Sequence, residues 1–160
     1  MGYPLLVRGQ TWMLVHSYDA GKKIKGKKRH ILVDTLGLLL SAAAHSADIQ
    51  DRDGAAFVLD ARTRALFPFI LRIFADAGYQ GPHAAMDAAA SGSWIIEIVK
   101  RTELHTFAVL PKRWIVERTI AWLSRCRRLA KDWECLNRKA LAFLRLASIR
   151  LMLRKLCNPV

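Results

Sequence analysis

The run "FILRIFAD" (69–76) follows Pro68, stops before Gly78 and is apolar at all but Arg72 and Asp76. It is too short for a self-sufficient helix, and its isoleucines and phenylalanines suit an inner strand. A strand apolar on both faces belongs inside a sheet that is covered above and below, so the chain must supply helices for both sides. It does. "KRHILVDTLGLLLSAAAH" (28–45) reads as two extended runs around Thr35-Leu36-Gly37, which is a hairpin pattern, and "WIIEIV" (94–99) reads as a further strand. "DRDGAAFVLDARTRAL" (51–66) suits one helix capped by Asp51 or Asp53, and the alanine-rich "HAAMDAAAS" (83–91) suits another that stops near Gly92. Pro111 opens the amphipathic stretch "KRWIVERTIAWLSRCRRLAKD", and Leu136 to Leu156 predicts a last helix, apolar over most of its circumference and expected to be buried. Strands alternating with helices give an α/β unit with one mixed sheet, and 160 residues without repeats or linkers give one domain.

Charge narrows the partners. Lys and Arg outnumber Asp and Glu by 26 to 13, a formal net charge of +13, which suits a polyanion, nucleic acid first. An anionic membrane surface is the competing partner. A spanning helix needs roughly 18 apolar residues without a break, and the most apolar region is broken by Arg145, Arg150, Arg154 and Lys155, so none is expected. The opening "MGYPLLVRGQTWML" lacks the zones of a signal peptide. Cys126, Cys135 and Cys157 lie far apart and form no CxxC, which predicts reduced thiols and a cytoplasmic setting. The histidines at 16, 30, 45, 83 and 105 lack zinc-ligand spacing, so no structural zinc is expected.

Basic residues concentrate in "KKIKGKKR" (22–29), with six cations in eight positions, and again at Arg125, Arg127, Arg128 and Lys131. The first cluster is either a solvated loop or a DNA-backbone contact, in which case six neutralised phosphates give log K a slope of about −5 against log salt. Trp114, Trp122 and Trp133 accompany the second cluster and are expected as core aromatics rather than base-stacking platforms.

Two acids stand out. Asp76 ends its predicted strand, where α/β sheets place ligands, but Asp before Gly is also common in plain turns. Glu117 falls in one helical sector with Arg113, Ser124, Arg128 and Lys131, beside the apolar stripe of Val116, Ile120 and Leu123. It can serve a site or simply pair with Arg113 and complement the helix dipole. Convergence of the two acids at one strand tip of a basic protein would create a place for magnesium, which prefers hard oxygen ligands.

"GKKIKGKKRHILVDTLGLLL", "ADIQDRDGA", "FADAGYQG" and "LPKRWIVERTIAWLSRCRRLAKDWE" resemble, in that order, the catalytic region of DDE transposases of bacterial insertion sequences, over roughly residues 18–157. The resemblance implies an RNase H-like α/β fold, a mixed central sheet flanked by helices. In it three carboxylates bind two magnesium (or manganese) ions for cleavage and strand transfer. It implies DNA as the partner, both transposon ends and target, with a homo-oligomer assembled on it in the bacterial cytoplasm. Asp76 matches the family's second aspartate and Glu117 its glutamate. The family's glutamate helix carries Tyr, Arg, Glu and Lys; Arg113 and Glu117 match, whereas Leu110 and Ser124 replace the Tyr and Lys, with Arg125, Arg127 and Arg128 as substitutes. DNA contacts are expected from Lys22, Lys23, Lys25, Lys27, Lys28, Arg29, Arg113, Arg125 and Arg128.

The family's first aspartate has no counterpart, because "VRGQTWMLVHS" holds no acid and neither Asp19 nor Asp34 occupies the matching place. The expectation is therefore a divergent segment at 1–17 and a partial catalytic domain at 18–157, as in a truncated copy. The first strand is expected to be missing or replaced by a makeshift strand over Thr11–His16. Such a protein derives from DNA transposition by metal-dependent phosphodiester cleavage but is inactive alone; the alternative is a non-catalytic basic DNA- or RNA-binding remnant.

Overall fold

A computed structural model describes residues 4–12, 18–19, 24–25, 27–46, 49, 51–76, 79, 94–99, 113–131 and 133–158. The sheet is built from β1 (Pro4–Trp12), β4 (Lys27–Val33), β5 (Leu39–Ser46), β6 (Arg72–Asp76) and β7 (Ile95–Val99), in the order β5-β4-β1-β6-β7. β1 runs antiparallel to β4, from Leu6↔Val33 to Trp12↔Lys27, and parallel to β6, from Pro4↔Arg72 to Val7↔Ala75. β5 is antiparallel to β4, and β7 is parallel to β6. A separate two-residue ladder joins β2 (Tyr18–Asp19) to β3 (Ile24–Lys25). The central position is thus filled by Pro4–Trp12, not by Thr11–His16 as expected. The apolar run Leu5-Leu6-Val7 supplies strand-forming residues, and Pro4 stands at the strand's first position, where no ladder donor is lost.

Alternation along the strands divides the core in two. Leu32, Ile73 and Ala75 join Ala55, Val58, Leu59, Ile70, Tyr79 and Trp94 on one side of the sheet. Ile31, Val33 and Phe74 join Ile115, Val116, Leu123, Leu129, Leu144 and Ala147 on the other. The first layer comes from α1 (Asp51–Gly54), a 3-10 turn (Ala55–Phe57) and α2 (Ala61–Leu66); the second comes from α3 (Arg113–Ser124) and α4 (Asn137–Cys157).

Three helix expectations are corrected. Residues 51–66 form two short helices rather than one, and the cap is Asp60, whose Oδ1 accepts from the Thr63 amide at 2.7 Å. The helix after Pro111 stops at Ser124, short of its expected end at Asp132, and residues 125–131 continue as turns. Prolonging it would stack Arg125 over Arg128 and Arg127 over Lys131, like charges that repel at these spacings. The turns instead bury Leu129 and let Arg128 reach Glu134. α4 is buried only along Ala140, Leu144, Ala147 and Ser148; Leu146, Ile149, Leu153 and Leu156 are exposed. The helix expected at 83–91 lies outside the described residues.

The turn between β4 and β5 is pinned from three sides. Asp34 Oδ1 accepts from the amides of Leu36 and Leu38 at 2.9 and 2.8 Å, and Gly37 takes φ +80°. Thr119 Oγ1 donates to the Gly37 carbonyl at 2.7 Å, and Arg118 and Lys155 both donate to the Leu36 carbonyl. α3 is thereby locked over the sheet.

Candidate active site

β6 runs through Ile73, Phe74 and Ala75, all buried, and terminates at Asp76 beside Val99 of β7. On its other edge Val7 pairs with Ala75, the last pair of that ladder, and Arg8 and Asp76 are the residues that follow on the two strands. Three residues past Asp76, Tyr79 is buried with its hydroxyl 2.6 Å from His30 Nδ1. The His30 ring stacks on His45 at 4.6 Å, and a Cβ at Gly54 would lie 2.3 Å from His30 Nε2, so only glycine fits there. This group fastens the chain just beyond the strand tip. Sequence reasoning missed it; the Tyr79 in "FADAGYQG" was its signal, read as part of a family motif or a turn and given no partner.

Glu117 is exposed on α3, one residue beyond Val116, which is fully buried. Val116 and Ile115 share a core cluster with Phe74, two residues before Asp76, and α3 packs on β1. The side chains of Asp76 and Arg113 lie outside the described residues, as do Lys22 and Lys23 entirely and the side chain of Lys25.

The basic stretch divides in a way composition concealed. Lys27, Lys28 and Arg29 form the start of β4, paired with β1 on one edge and β5 on the other, and each is only 4% exposed. Lys27 Nζ donates to the Glu134 carbonyl and Lys28 Nζ to the Ile49 carbonyl at 2.6 Å, as buried cations require. The side chains of Lys27 and Lys28 thus tie β4 to the loops around it, and burial leaves all three of these expected DNA contacts little surface to offer a phosphate. Arg128 pairs with Glu134 at 2.6 Å and lies over the Phe143 ring, which commits its Nε to the fold although more than half of the side chain is exposed; Arg125 is exposed as well. Trp114, Trp122 and Trp133 are not core residues. Trp114 and Trp133 are exposed, Trp122 is half-buried, and cations cover them: Arg118 lies 4.4 and 4.6 Å from the rings of Trp114 and Trp122, and Lys155 lies 4.5 Å from Trp122.

The transposase DDE domain family matches residues 5–152, a span that begins within β1. Over 115 residues the chain is 32% identical to a Burkholderia cepacia protein described as "Putative transposase for insertion sequence element IS402", covering 68% of this chain and 54% of that protein. The chain belongs to the DDE transposases of insertion sequences. It spans about half the length of this relative. No helix among the described residues of this transposase chain is long and apolar enough to cross a membrane. Its cysteines are all free thiols, with Cys135 and Cys157 exposed.

The described residues do not by themselves supply a donor set for a pair of divalent ions. Among the described residues no group of three or more His, Cys, Asp or Glu gathers, and β1 contains no Asp or Glu. Asp76 and Glu117 alone would set two negative charges against the four positive charges of two such ions.

Proposed function

We propose that the chain is a transposase-derived domain from the DNA-transposition machinery of an insertion element, with an RNase H-like arrangement in which Asp76 and Glu117 border one site at the tip of β6. The reading is carried by a single observation: Phe74, two residues before Asp76, packs in one core cluster with Ile115 and Val116, which immediately precede Glu117. Further support comes from the strand order, with three antiparallel strands β5-β4-β1 continued by the parallel pair β6 and β7. The pinned turn at Gly37 and the buried Tyr79 hold the two acid-bearing segments from opposite faces of the sheet.

In this reading the site lacks its third carboxylate, and a cation, Arg8, stands level with Asp76 in its place. The chain then binds DNA through Lys22, Lys23, Lys25, Arg113 and Arg125 but does not cut it alone. The test pairs two assays on the same preparation. Fluorescence anisotropy with a labelled DNA duplex should show binding that weakens steeply with salt. A supercoiled plasmid with magnesium or manganese should stay uncut. Absence of duplex binding, or nicking of the plasmid by the parent chain, contradicts the reading.

A further inference from the structure

We infer that the outer face of α4 is a docking stripe for an amphipathic helix of another protein that carries acidic residues beside its apolar seam. Leu146, Ile149, Leu153 and Leu156 are 60%, 51%, 54% and 77% exposed. Their spacing of three, four and three residues is the a/d pattern of a heptad seam, so all four line one edge of the helix. The opposite edge is occupied, since Ala140, Leu144, Ala147 and Ser148 are buried in the domain. α4 thus has two apolar edges and only one of them is covered. Leu146, Ile149 and Leu153 line a shallow groove with Arg150 and Arg154, a shape that receives side chains from a facing helix.

Charge decides the occupant. With Leu146 and Ile149 as a and d, Arg145 takes the preceding g position and Arg150 the following e position, the places that choose coiled-coil partners. Neither arginine makes an ion pair with another described residue, and both are exposed. α4 contains no Asp or Glu, so no register and no orientation lets a second copy of it offer these arginines a carboxylate. In a parallel pair Arg145 would face Arg150 of the other copy. A helix with Glu at e and g meets both requirements, covering the leucines and neutralising the arginines. Duplex DNA satisfies the arginines alone, because its phosphates have no use for four aliphatic side chains.

The test uses a short labelled peptide of a few heptads with Leu and Ile at a and d and Glu at e and g, a matched peptide with Lys in place of Glu, and the whole chain. The Glu peptide should bind and the Lys peptide should not. Leu153→Asp, a change at an exposed position whose fold is checked by circular dichroism, should weaken binding about tenfold or more. The double change Arg145→Glu and Arg150→Glu should reverse the preference toward the Lys peptide. Failure of the Glu peptide to bind, or binding unchanged by Leu153→Asp, overturns the assignment. So does a self-association, or a binding to phosphatidylserine vesicles, that Leu153→Asp abolishes while peptide binding is absent; those results give the stripe to a second copy or to a lipid surface.

Discussion

Gly37 joins two requirements at one atom. Its φ of +80° is costly for any side chain, and a Cβ there would sit 2.5 Å from Thr119 Oγ1. Gly37→Ala should therefore destabilise the domain by roughly 1 to 3 kcal/mol, read as a lower urea midpoint at constant slope. Thr119→Ser, which keeps the hydroxyl that donates to the Gly37 carbonyl, should cost less. On the other face of the sheet, Tyr79→Phe deletes the hydroxyl that meets His30 Nδ1 at 2.6 Å in a buried setting. A loss of about 1 to 3 kcal/mol is expected, measured in the same way. The glycine was legible from the sequence as a hairpin signal. Its clamp was not, since Thr119 lies 82 positions away and nothing local to either residue announces the other.

Among the elements, α2 depends on a cap that pattern reading placed elsewhere. Asp60 Oδ1 accepts from the Thr63 amide, and Asp60→Ala should cost about 1 kcal/mol near neutral pH. Partial burial tends to raise the Asp60 pKa, but the hydrogen bonds from Thr63 and the nearby Arg62 outweigh it and hold the carboxyl below its ordinary value. A depressed folded-state pKa means that this stabilisation is complete above the unfolded-chain value of about 3.9 and fades as pH falls through the folded one. The difference between parent and Asp60→Ala should therefore shrink on acidification below about pH 4, in paired urea titrations. The hairpin and both parallel strands were readable because turn chemistry and apolar runs are local. The burial of Lys27, Lys28 and Arg29 was not readable, for the opposite reason. Six cations in eight residues look like a solvated loop, and only pairing on both edges of β4 with carbonyl acceptors at Glu134 and Ile49 puts three of them inside.

For the whole molecule, the charge of +13 divides between structural cations and a surface open to a polyanion. Replacing Lys22, Lys23 and Lys25 together by Ala should reduce the salt slope of duplex binding by about 2.7, at about 0.9 per phosphate contact, and leave thermal stability close to that of the parent. The same change at Lys27 and Lys28 should instead lower stability, because their side chains hold β4 to residues 49 and 134. The two acids could be nominated from the sequence, but their relation passes through Phe74, Ile115 and Val116, members of one core cluster from segments about forty residues apart. The register of β1 was beyond reach altogether, since an acid-free strand gives no mark of the position that stands beside Asp76. That register makes the central claim directly measurable. In a plasmid-nicking assay with magnesium, Arg8→Asp should convert the inert parent into a nuclease, and adding Asp76→Ala or Glu117→Ala to Arg8→Asp should abolish the gain. Nicking by Arg8→Asp that persists after both acids are removed would contradict the account.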